Sequence, residues 1–127
     1  AGLRFGVMTC YDLRFPESAR RLVDAGAQVL VVPAAWADGE LKALHWRTLA
    51  VARAIENTSA VVAVGQAGKG VVGRSLVVAP DGVVGLELDE QPGVRTVDVD
   101  GAALTGVRGG NPSWANRRYT VVPRPVA

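Results

Sequence analysis

Residues 6–18, GVMTCYDLRFPES, constrain the fold more than any other stretch, because there an apolar strand carries the only cysteine of the chain into a turn that opens a helix. Leu3, Phe5 and Val7 alternate with Arg4, Gly6 and Met8, the period-two pattern of a strand running into Thr9-Cys10. Pro16 suits a first helical position, where its fixed φ is pre-set and its missing N–H would have had no acceptor; Glu17 adds negative charge where the helix dipole favours it. Strand, sharp turn and helix in that order place the Cys10 thiol at a strand end, with main-chain N–H groups of the turn facing whatever the thiol attacks. On spacing alone two readings stay open: a nucleophile held in the open, or a core cysteine acting as a small hydrophobe.

Beyond the turn, Ala19, Leu22, Val23 and Gly26 follow helical spacing, and Gly26 is placed to end the helix in a left-handed cap. The apolar run Ala27–Val32, closed by Pro33, predicts a strand covered on both faces. Strand, helix and strand make a crossover unit with parallel strands. The loop 33–39 then leaves the second strand on the Cys10 side, and Trp36 within it either lines a pocket or anchors the loop. A long helix is predicted over Leu41–Asn57, with Leu41, Leu44, Ala52 and Ile55 on its apolar stripe and Lys42, Arg53 and Glu56 off it.

Ser59–Gln66 reads as a further strand, followed by a glycine-rich loop through Gly70. That loop lacks the Ser or Thr of a phosphate cradle and is followed by more strand pattern, Val71–Val78, so it is predicted to be a flexible connection. Pro80-Asp81-Gly82 between Ser75–Ala79 and Val83–Leu88 signals a hairpin. Val94–Val99 alternates like another strand, Asp100 can cap a short helix to about Val107, and the tail is loop-like.

Composition narrows the function classes. With 127 residues and 49% hydrophobic content the chain can build a core. A net charge of +2 spread over twelve arginines and two lysines without long runs gives no nucleic-acid surface. One cysteine makes no internal disulfide, which suits a reducing cytoplasm, and one cysteine with one histidine makes no zinc site alone. No apolar run reaches membrane-spanning length and no signal-peptide pattern opens the chain, so no membrane partner is expected. The chain starts at Ala1 and reaches its first strand within two residues, which predicts a piece whose sheet neighbours come from elsewhere.

The segment GVMTCYDLRFPES resembles the nucleophile segment of the nitrilase, or carbon–nitrogen hydrolase, superfamily. HWRTLAVARAIENTSAVVAVGQAG at 45–68 and GRSLVVAPDGVVGLEL at 73–88 resemble the family's next helix, core strand and hairpin, in that order. The resemblance implies an α/β fold, the C-terminal half of a four-layer αββα sandwich. It implies hydrolysis of a non-peptide carbon–nitrogen bond in a small amide or nitrile, without a cofactor, nearest to amidases of the Nit type. Cys10 would be the nucleophile of a Glu-Lys-Cys triad, and the backbone N–H of Tyr11 half of an oxyanion hole. Asp12 would fix the turn, Arg14 and Glu17 would brace it as an ion pair or form an exposed pair of little consequence, and Trp36 would line the substrate pocket.

The residues before Cys10, AGLRFGVMT, include neither the Glu nor the Lys of that triad, so the N-terminal half of the domain would have to supply both. Lys42, Lys69, Glu40 and Glu56 match none of the family's catalytic positions. Two rivals remain: a half-module that performs no chemistry, and a thiol hydrolase in which His45 serves Cys10. Family members bury a helical face and the tail between subunits, which implies a homo-oligomer with Trp114 and Tyr119 as anchors.

Overall fold

The computed structural model describes residues 2–126. Five strands, β1 (Phe5–Val7), β2 (Val29–Ala34), β3 (Ala60–Gly65), β4 (Leu76–Val78) and β5 (Val84–Glu87), form one sheet in sequential order. β1, β2 and β3 run parallel, and β4 and β5 complete the sheet antiparallel. A 3-10 turn, Cys10–Arg14, follows β1, and three helices complete the chain: α1 (Pro16–Asp24), α2 (Lys42–Asn57) and α3 (Gly101–Gly110). The mixed α/β class expected from the strand–helix alternation is therefore what forms.

Both crossovers step the same way along the sheet, so α1 and α2 lie side by side on one face and touch each other. The strands turn Met8, Leu30, Val32, Val61, Ala63, Leu76 and Val78 into the layer beneath them, all buried. Gly6 is also buried in this layer; a Cβ there would lie 3.0 Å from the Cβ atoms of both Leu22 and Ala27, so α1 and its exit rest on bare backbone. Helix α1 ends as its glycine predicts: Gly26 has φ +97°, its N–H bonds to the Val23 carbonyl and that of Ala27 to Leu22, the pair of a Schellman cap.

The opposite face of the sheet is covered only at one end, where Val29 is 1% and Ala60 4% exposed, and open over the rest. Phe5 is 62% and Val7 60% exposed, Val64 is exposed beside them, and Val31, Val62 and Val77 are half-buried. One sheet with one helical layer is half of a four-layer sandwich. No helix among the described residues is long and apolar enough to cross a membrane.

Several expectations need correction. Pro33 lies inside β2, paired with Val64, instead of closing the strand. Its missing N–H is the donor that the rung after Met8 N–H to the Val31 carbonyl would need, so the pairing with β1 stops there while β2 continues along β3. The buried stripe of α2 is Trp46, Ala50, Arg53, Ala54 and Asn57, whereas Leu41, Leu44 and Ile55 are exposed. Alanines at the sheet let the helix approach closely, and the bulkier residues point away. Val71 makes only an isolated bridge to Ala37, which tethers the glycine-rich loop.

Val94–Val99 forms no strand. No main-chain hydrogen bond joins it to another strand among the described residues, and alternation makes a strand only where an edge is offered. Asp100 caps α3 by accepting from Ala102 N–H at 2.8 Å, and the helix runs on to Gly110. Trp114 donates from Nε1 to Asp24 at the end of α1, and Arg117 pairs with the same carboxylate. Tyr119 is exposed.

Candidate active site

The turn after β1 is built by its own side chains. Thr9 N–H donates to Asp12 Oδ2 and Asp12 N–H returns to the Thr9 carbonyl, both at 3.0 Å, so Asp12 staples the start of the 3-10 turn. Pro16 excludes the helical region for Phe15, which sits at φ −106°, ψ 101° and separates the turn from α1. Cys10, first in the turn and partly exposed, is held at φ +48°, a left-handed backbone uncommon for a residue with a Cβ. The Tyr11 N–H has no acceptor among the described residues, as befits the first turn of a helix. A thiol on a strained backbone thus stands beside an unpaired amide donor, an arrangement able to add sulfur to a carbonyl carbon and bond the oxygen that gains charge.

Around the turn lies an aromatic and cationic stack. The Arg14 guanidinium sits 4.9 Å from the Trp36 ring and 6.0 Å from the Tyr11 ring. Trp36 in turn packs on Trp46 at 5.4 Å and donates from Nε1 to the Lys42 carbonyl at 3.0 Å, and Tyr11 meets Phe15 edge-on at 5.3 Å. Trp36 is 4% exposed, so within this chain it anchors the loop beneath Arg14.

The expected Arg14–Glu17 pair does not form among the described residues. The extended backbone at Phe15 breaks the helical path between them, so spacing by three no longer puts both on one side. Arg14 goes to the aromatic stack, and Glu17 lies at the rim of a groove with Arg20, Glu56 and Arg117. His45 is not joined to Cys10: its Nδ1 is buried without a hydrogen-bond partner.

One site neighbour was missed in the sequence. Arg53, placed off the apolar stripe by residue type, is buried to 4% exposure and donates from Nε to the Leu13 carbonyl, within the cysteine turn, at 3.1 Å. Its Nη1 pairs with Glu56 at 2.9 Å. The sequence offers one hint, that Arg53 falls seven residues after Trp46 and three after Ala50 and so shares their side of the helix, but it does not say that this side is the buried one.

The profile of the family described as Carbon-nitrogen hydrolase matches residues 1–108. Protein YbeM of Escherichia coli K12 is 42% identical over 118 residues, 93% of this chain and 63% of that protein. Deaminated glutathione amidase of Escherichia coli O157:H7 is also 42% identical over 118 residues, which cover 93% of this chain and 45% of that enzyme. Among solved structures, XC1258 of Xanthomonas campestris, a CN-hydrolase superfamily protein with an arsenic adduct in its active site, superposes with a TM-score of 0.86 at 32% identity over 96% of this chain and 49% of that one. The chain spans 45% to 63% of the length of these proteins. With its profile, its relatives and its fold in accord, the chain belongs to the carbon–nitrogen hydrolase family of the nitrilase superfamily.

Proposed function

We propose that this chain is the C-terminal part of a carbon–nitrogen hydrolase domain which, when complete, hydrolyses small amides through Cys10. The observation that carries the reading is the pairing of a left-handed Cys10 with the unpaired N–H of Tyr11 at the carboxyl end of β1. A base supplied by the N-terminal half takes the thiol proton. Sulfur adds to the amide carbon, and the carbonyl electron pair moves onto oxygen, which accepts from Tyr11 N–H and faces a cation from the same half. Collapse of this intermediate breaks the C–N bond; nitrogen takes a proton and leaves as ammonia from a primary amide, or as an amine from a substituted one, and a thioester remains on Cys10. Water then adds to the thioester, the C–S bond breaks, and a carboxylic acid and the thiol are released.

By the resemblance, the base is a Glu and the cation a Lys, and no cofactor takes part. The name of the Escherichia coli amidase supports deaminated glutathione as a substrate, and the resemblance to Nit-type amidases adds small ω-amides of dicarboxylic acids. A single thiol suits the cytoplasm, and a homo-oligomer is part of the proposal. The test measures ammonia release from glutaramate-like ω-amides by this chain alone, by the complete protein and by the complete protein with Cys10→Ala. We expect activity in the complete protein only, because removing members of a triad or an oxyanion partner costs on the order of 10²-fold each or more. Activity in the isolated chain that disappears on His45→Ala would replace this reading with the thiol–histidine alternative.

A further inference from the structure

Carbonyl oxygens at the end of the cysteine turn lack the donors a continuous helix would give them. In a 3-10 pattern the Leu13 carbonyl would accept from residue 16, but that residue is proline, without an N–H, and the extended Phe15 before it carries the next turn elsewhere. Leu13 is fully buried, so water does not serve as the substitute. The donor that arrives is the Nε–H of Arg53, 3.1 Å away and forty residues further along the chain.

We propose that Arg53 is a positioning residue for the catalytic turn: its guanidinium fixes the Leu13 carbonyl and thereby keeps the Tyr11 amide aimed at the developing oxyanion. Three observations carry this. Arg53 is a buried cation on a helix stripe otherwise made of alanine, tryptophan and asparagine, a place where a guanidinium is retained only with partners. Its hydrogen bond goes to the turn itself and not to a remote surface. Its far side is held by Glu56, whose own backbone carbonyl accepts from Arg20 of α1 at 2.7 Å, so turn, α1 and α2 are locked together at one point.

The geometry also separates two functions of the turn. Holding Cys10 at a strand end depends on β1 and on the Thr9–Asp12 staple; aiming Tyr11 N–H depends on where the turn ends. Alkylation of the thiol by iodoacetamide displaces iodide at a saturated carbon and creates no oxyanion, so it reads the first function alone. Amide hydrolysis needs both.

This inference rests on Cys10 being the nucleophile, and its test keeps the two apart. In the complete protein, Cys10→Ala decides the nucleophile. Arg53→Met and Arg53→Lys then decide the positioning role, by kcat and KM for a glutaramate-like amide and by the iodoacetamide rate at one fixed pH. For Arg53→Met we expect kcat to fall by about tenfold to a hundredfold, as for a small misplacement of catalytic groups, with KM and alkylation within about threefold of wild type. Arg53→Lys keeps one donor for Leu13 and is expected to recover most of the lost kcat. An Arg53→Met protein with wild-type kcat, or one whose alkylation and kcat change together, overturns the proposal. Should Arg53→Met not fold, Glu56→Ala at the groove rim decides instead: it removes the acceptor that holds the far side of the guanidinium, and a kcat lowered about two- to fivefold at unchanged alkylation supports the role, while an unchanged kcat refutes it.

Discussion

At the scale of single residues, the account turns on Cys10, where the left-handed backbone costs on the order of 1 kcal/mol for any side chain with a Cβ and nothing for glycine. Strain of this kind is retained where the surrounding structure enforces it, and here the enforcing contacts are the Thr9–Asp12 staple and the pairing of β1 that ends at Met8. Cys10→Gly should therefore be more stable than Cys10→Ala by about 1 kcal/mol in urea unfolding of the complete protein, although both lack the thiol. Equal stability, or a more stable Cys10→Ala, would mean that the turn relaxes and stores no strain. Cys10 and Asp12 could be read from the sequence because their geometry is set within three or four residues. Arg53 and Trp36 could not be: which face of α2 is buried, and what stands over Trp36, depend on partners many residues away. The Arg14–Glu17 pair failed for a local reason, since Pro16 acts on Phe15 as well as on itself.

Elements announced by their own termini were legible. Pro16 begins α1, Gly26 ends it, Asp100 caps α3, and Gly82 at φ +90° turns the β4–β5 hairpin as its sequence requires. Elements defined only by pattern fared worse. Val94–Val99 has a strand's alternation without an edge to join, and α2 carries enough apolar residues on two sides that periodicity chose the exposed one. The tail shows how a single side chain can organise an element without secondary structure: Asp24 accepts from Trp114 and pairs with Arg117, tying residues after α3 to the end of α1. With Asp24→Ala both ties are lost, and limited proteolysis should cut within residues 111–126 several times faster while kcat stays at the wild-type value. Cleavage at the wild-type rate would place the tail's attachment elsewhere.

Taken as a whole molecule, the chain has one well-covered face of its sheet and one that is buried at Val29 and Ala60 but open over the rest. Phe5, Val7 and Val64 present apolar surface next to half-buried Val31, Val62 and Val77, a patch of the sort that marks an interface. If the N-terminal half covers it in the complete domain, the isolated chain should bind a hydrophobic dye strongly and aggregate with rising concentration, whereas the complete protein should do neither; dye binding as weak for the isolated chain as for the complete protein would contradict this. The same division explains why the fold class was readable and the full machinery was not: the turn proposed to carry the nucleophile lies within this chain, while no position in it matches the base and cation that the resemblance implies. The most direct measurement is rapid acid quench of the complete protein during turnover of a glutaramate-like amide, followed by peptide mass mapping. The account predicts an acyl adduct, equal to the substrate minus ammonia, on the peptide containing Cys10 and absent from Cys10→Ala; an adduct on another residue, or turnover that persists in Cys10→Ala, would contradict it.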